Sequence, residues 1–267
     1  MITPTHAIAA ALVVASLALA VFPAAAVDGE ILINQAGVNA GGITPGDTAG
    51  FPATLSRPGR YKLTSNLVVP SGADGIIVTA NNVTIDLNGF TIRSNPPGST
   101  QSGIWSLGGG DGLRVMNGTM TGFGSWAILT APSGTSTVVQ NMRLLDNFGG
   151  AAVGANARIL GNIIANSILN GVSCAARCVI EQNVVTGNGT DPGGTAGGRA
   201  GVSIAQGGAM LRANVIVGNG SWGLVSELNN PPTGYGQNML VGNNGGGGQV
   251  AGDVVQMHPN ACDPACP

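Results

Sequence analysis

The chain has 267 residues, of which 45 are Gly and 15 Pro, and only 8% are charged where about 25% is usual, so little of it is salt-bridged helix surface. Glycine follows no every-third-residue period, which excludes collagen, and 43% hydrophobic residues with a net charge of -2 exclude charge-rich disorder. The 10 Lys and Arg against 12 Asp and Glu, with an isoelectric point near 5.5, leave no basic face for a row of phosphates, so no nucleic acid partner is expected.

At the N-terminus the chain runs uncharged from Ala7 to Phe22, then meets Pro23 and Ala24, Ala25 and Ala26. Small residues at the -3 and -1 positions before Val27 predict a signal peptide over 1–26, although its n-region holds His6 and no Lys or Arg. The alternative is a membrane anchor, but as a helix the apolar run reaches only about 24 Å against a hydrocarbon core of roughly 30 Å. The expected mature chain, from Val27, is one secreted, periplasmic or cell-surface domain with no membrane association after cleavage and a monomer by default. Four cysteines suit that address, in two C-x3-C pairs, Cys174 with Cys178 and Cys262 with Cys266. Three connectivities are open, of which the two short local loops are favoured; a zinc site is the alternative.

From residue 68 the sequence repeats. An aliphatic strand, an Asn and a second aliphatic strand recur with Asn at Asn88, Asn117, Asn141, Asn162, Asn183, Asn214 and Asn238, at steps of 21 to 31 residues. Each unit opens on a small residue and an aliphatic one: Gly75-Ile76, Gly103-Ile104, Ala127-Ile128, Ala151-Ala152, Gly171-Val172, Gly201-Val202 and Gly223-Leu224. Strands this short and this apolar on one side bury a core only by stacking, which predicts an all-β solenoid. Equivalent Asn side chains then lie about 4.8 Å apart and form a ladder at a bend, a structural column. The Asn-x-Thr/Ser sequences at Asn82, Asn117, Asn188 and Asn219 read as turns rather than glycosylation sites. The expected organisation is an N-terminal cap over 27–67, about seven coils over 68–244 and a C-terminal cap over 245–267, with insertions at 94–102, 187–200 and 228–236.

The phrases ILINQAGVNAGGITPGDTAGFPATLSRPGRYKLTSNL at 31 to 67 and NNVTIDLNGFTI at 81 to 92 resemble the secreted bacterial right-handed parallel β-helix proteins of the pectate-lyase-like superfamily, over about residues 31 to 255. The resemblance implies a three-faced prism of parallel strands whose members often bind, cleave or epimerise polysaccharides along an outer groove.

The chain's chemistry is sparse: nine Asp, three Glu, nine Arg, one Lys and two His. Asp86 and Glu181 each lie two residues before their Asn and point outward if Ile85 and Ile180 point inward. Glu181 shares its offset with Arg212 on the next unit, which predicts a cross-coil ion pair; Asp86 is expected to meet Arg114 in the same way. The sharper reading makes Asp86, Asp111, Arg114, Asp146, Glu181 and Arg212 catalytic candidates. No carboxylates fall close enough in sequence to suggest a calcium cage. The paired aspartates of the polygalacturonase-like hydrolases and the Asp-Pro-His-Glu signature of alginate epimerases are also missing. No cofactor is expected, calcium entering only if the protein is a lyase. For binding, Trp126 and Trp222 occupy matching places four units apart, about 19 Å at the sheet spacing, and Trp105 lies nearby. They border a saccharide groove or cover Gly-rich corners. Asp191 and Arg199 add polar groups from the 187–200 insertion, and His258 belongs to the cap. The functional expectation is recognition of extracellular or cell-wall polysaccharide. A lyase or epimerase acting on uronate-containing glycans and a structural or adhesive solenoid are the alternatives.

Overall fold

The computed structural model describes residues 29–108, 110–190, 199–227 and 231–266; the expected signal peptide, Val27 and Asp191 lie outside the described residues. Strands of three to eight residues follow one another around a three-sided coil, and equivalent strands of successive coils pair in parallel. The protein is a parallel β-helix. Face I runs from Ile31–Ile33 and Gly59–Leu63 to Val254–Gln256, face II from Leu67–Pro70 to Ala261–Asp263, and face III, of nine strands, from Ala53–Leu55 to Val250–Gly252. Faces I and II form one 17-stranded sheet because two strands, Arg114–Thr121 and Val138–Leu145, run unbroken through the bend between them.

Strand alternation builds the core. On face I, Ile85, Val115, Val139, Ile159, Ile180, Leu211 and Tyr235 fall in one register row and are buried; on face II, Ile92, Met120, Leu144, Ile164, Val185, Ile216 and Leu240 do the same. Tyr235 belongs to the strand Thr233–Gly236, inside the stretch expected as the 228–236 insertion. That strand hides in the sequence because glycines replace its outward residues, while Tyr235 alone continues the inner row.

The single Asn column expected from the repeat divides into two adjacent rows. Asn141 pairs with Gly161, and Asn88, Asn117 and Asn141 all take positive φ, as do Gln182, Ala213 and Gln237 at later corners. The ladder lies one residue further on, where Met142 precedes Asn162, Asn183, Asn214, Asn238 and Asn260. There each Asn Nδ2 donates to the next Asn Oδ1 at 2.9 to 3.0 Å. Asn88, Asn117 and Asn141 therefore leave the ladder: a left-handed corner accepts Asn as readily as a stack does. The opening pairs slip likewise, for Ala151 aligns with Ile128, making Gly150-Ala151 the true pair.

A second ladder stands at the corner after face II. Asn188 donates to Asn219 at 3.0 Å, Asn219 to Asn243 at 2.8 Å and Asn243 to Gln249 at 2.7 Å, while their amides also reach the carbonyls of Ile164, Val185 and Ile216. Both Asn188 and Asn219 are buried, so their Asn-Gly-Thr/Ser sequences mark ladder corners.

At the N-terminal end the helix Gln35–Ala40, capped by Asn34 accepting from the Gly37 N–H at 2.8 Å, presses Val38 into the core. Cys174–Cys178 turns the buried corner between faces III and I, and Cys262–Cys266 packs against the core at the other end. Strand pairing continues through both stretches assigned to caps, 27–67 and 245–267. Among the described residues no helix is long and apolar enough to cross a membrane.

Candidate functional site

The outer side of face I carries two register rows. One reads Thr84, Arg114, Val138, Arg158, Val179, Met210, Gly234 and the other Asp86, Met116, Gln140, Leu160, Glu181, Arg212, Gly236. In the second row Glu181 receives Arg212 at 3.0 Å and, diagonally, Arg158 at 3.8 Å. Both guanidinium groups stay more than half exposed, so the pairs contribute little to stability, about 0–1 kcal/mol, and keep donors free for a ligand.

Beyond Arg212 both rows turn to glycine and the surface drops. A Cβ on Gly236 would stand 2.9 Å from the His258 backbone N and Cβ, so only glycine lets the last coil close here. The result is a groove of about 450 Å³ lined by Val179, Glu181, Met210, Leu211, Arg212, Gly236, Met257 and His258. It offers a carboxylate, a guanidinium and an imidazole beside thioether and aliphatic surface. Met257 continues the row of Gly236, because Gly234 pairs with Val255. The sequence reading left His258 in the cap; carrying the outward positions one coil further brings the chain to its side.

The other candidates do not join this groove. Asp86 stands opposite Met116, not Arg114, and accepts instead from the Asn88 N–H at 2.8 Å and Asn117 Nδ2 at 3.2 Å. The expected Asp86–Arg114 pair fails because Arg114 falls in the register row of Thr84. Asp111 is exposed and accepts from the Thr135 N–H at 2.8 Å and Oγ1 at 2.9 Å, bonds that hold its carboxyl below the ordinary range. Asp146 takes a left-handed corner, accepts from Asn166 Nδ2 at 2.9 Å, and lines a separate cleft of about 340 Å³ with Phe148, Asn166 and Ile168.

Trp126 and Trp222 lie in matching positions on the edge of face III, each half-buried with its ring over a glycine, Gly149 and Gly248 respectively. Trp105 is on the outer row of face III between Ile77 and Leu129, beside a recess of about 170 Å³ that includes Asp74. Arg199 is half-buried next to the buried Ala200. Among the described residues no three His, Cys, Asp or Glu side chains cluster as metal ligands.

Fold and groove together define the class, a disulfide-bonded parallel β-helix with an outward cleft across its strands. No protein-family profile and no curated protein matches the chain. Among solved structures it is similar to the A-module of the mannuronan C-5 epimerase AlgE4 of Azotobacter vinelandii, at 13% identity and a TM-score of 0.46, over 84% of this chain and 70% of that one.

Proposed function

We propose that this is an exported protein that recognises extracellular or cell-wall polysaccharide through the face I groove. The observation that carries the reading is the Glu181–Arg212 fork set beside Val179, Met210 and Met257. Fixed polar atoms bond sugar hydroxyls while the thioether and aliphatic surface covers apolar C–H faces, the usual division of labour in a ligand cleft. The two disulfides support an oxidising compartment.

A second reading, a lyase or epimerase acting on uronate-containing glycans, draws on His258 lining the same groove as Glu181 and Arg212. Such chemistry requires a base for the proton α to the uronate carboxylate and a cation facing the charge that develops; an imidazole and a guanidinium are groups of those kinds.

The test is affinity electrophoresis of the purified protein through gels containing neutral or uronate polysaccharides, alongside absorbance of unsaturated products with and without calcium. Retardation by one polysaccharide, weakened about tenfold (~1.4 kcal/mol) by Arg212→Ala, is expected. Retardation lost in Trp126→Ala and Trp222→Ala but kept in Arg212→Ala moves the site to face III. Growth of absorbance establishes the lyase, and no retardation in any gel overturns polysaccharide recognition.

A further inference from the structure

The outer row of face II changes character halfway along. It reads Thr91, Thr119 and Arg143, and then Ile163, Val184, Val215 and Met239 before Ala261. The four apolar side chains are 36 to 45% exposed, on successive coils, with none of the described residues over them. The neighbouring row is less exposed, with Ala165 buried, and reads Leu145, Ala165, Thr186, Val217, Val241 and then Asp263. Isolated exposed aliphatics are ordinary on a protein surface; here four stand side by side on successive coils, which makes the stripe a candidate interaction surface whose partner has to be argued from the charges around it.

The stripe is bracketed by opposite charges. Arg143 stands on the strand at one end and Asp263 on the strand at the other; both are exposed and neither has an ion-pair partner among the described residues. We propose that face II is a homodimer interface, covered by a second copy of this chain turned end for end about an axis along the strands. That rotation sets Val184 opposite Val215 of the partner subunit, and Ile163 opposite the partner's Met239. It also brings each Arg143 to the strand that carries the partner's Asp263. A parallel arrangement would place Arg143 against the partner's Arg143, which like charge disfavours. Such an isologous contact closes on itself and does not propagate into fibres.

Six strands at about 4.8 Å and three residues at about 3.3 Å give a flat patch of roughly 290 Å² per copy, well short of the ~800 Å² per partner in a standard interface. The dimer is accordingly weak, and forms at high micromolar concentration. It leaves the face I groove open, so it stands apart from the polysaccharide reading.

Sedimentation velocity of the purified protein from about 10 to about 500 μM tests it. The expected result is a sedimentation coefficient that climbs towards the dimer value with concentration. Val184→Lys with Val215→Lys raises the dissociation constant at least tenfold, while thermal melting of the exposed-site variant stays within a few degrees of the parent. Arg143→Glu and Asp263→Lys each weaken the dimer several-fold, and the two together restore it. A constant monomer value over the whole range overturns the proposal, as does a dimer that the Lys pair leaves intact or a charge reversal without rescue.

Discussion

Replacement of Asn183 by Ala tests what the buried ladder contributes. Asn183 Oδ1 accepts from the backbone N–H of Asn162 at 3.0 Å and from Asn162 Nδ2 at 2.9 Å; its own Nδ2 donates to Asn214 Oδ1 at 3.0 Å and to the Ile159 carbonyl at 2.8 Å. Ala removes all four. Asn162 Nδ2 retains the Val139 carbonyl and Asn214 Oδ1 retains the Asn183 N–H, so these two atoms are only partly deprived. The Asn162 N–H loses its acceptor in a buried corner, and the Ile159 carbonyl loses the amide. At about 1–2 kcal/mol for each of these two groups, the expected loss is about 2–4 kcal/mol. With a urea m-value near 2 kcal/mol/M the midpoint falls by about 1–2 M.

The internal control is Asn141→Gly. Asn141 is exposed at positive φ, its side chain making one long bond of 3.4 Å to Asn117, and the next coil already has glycine, Gly161, at that place. Glycine relieves the left-handed backbone as the lost bond costs a little, so a change within about 0.5 kcal/mol is expected. Urea unfolding followed by circular dichroism measures both variants, with an unchanged m-value required for comparison. If Asn183→Ala costs less than about 0.5 kcal/mol, or Asn141→Gly costs as much as Asn183→Ala, the division into a ladder row and a corner row is wrong.

The second ladder has a gap at Ser167, whose N–H donates to Asn188 Oδ1 while its buried Oγ lacks a partner among the described residues. Ser167→Asn supplies the amide that links Asn147 to Asn188 and is expected to stabilise by about 1 kcal/mol in the same urea assay; a loss of stability means the corner has no room. Asp74 accepts from the Ser102 N–H at 2.8 Å, and burial raises its carboxyl above the ordinary range in spite of that bond. Between the unfolded value of 3.8 and the higher folded one the folded state binds more protons, so Asp74 makes stability fall as pH rises through that window. Asp74→Asn keeps the acceptor and is expected to remove that fall; a pH–stability curve identical to the parent's refutes the assignment.

Parallel stacking demands like residues at like places, and for that reason the repeat showed the fold: Ile85, Ile159, Ile180 and Leu211 are legible as one inner row from spacing alone. The same logic misled by one residue at Asn141. Two adjacent corner positions both favour Asn, one for its backbone and one for its amide, and sequence records only the letter. Asn188 and Asn219 were hidden for a related reason, since Asn-Gly followed by Thr or Ser is also the signature of an exposed turn. The Asp86–Arg114 pairing failed where strands changed length: Arg114–Thr121 runs through a bend that Val83–Asp86 and Thr91–Asn95 leave as a turn.

The groove lies where the repeat stops repeating, which explains why only part of it was legible. Glu181 and Arg212 occupy the same offset on consecutive coils, so their contact follows from register. The cleft itself is made by subtraction, as Gly234 and Gly236 remove two outward side chains from rows that are otherwise filled. A stacked coil without side chains is a hollow only if the next coil rises again, and Met257 and His258 supply that rise. Neither signal carries an aliphatic pattern: the two glycines lie in a strand, Thr233–Gly236, whose only apolar anchor is Tyr235, and Met257 and His258 follow the strand Val254–Gln256. In a solenoid the regular residues hold the scaffold and the breaks in each outer row shape its surface. A departure on two adjacent outward rows at one coil, flanked by charge on the coil before it, is thus the feature to seek in a chain of this kind.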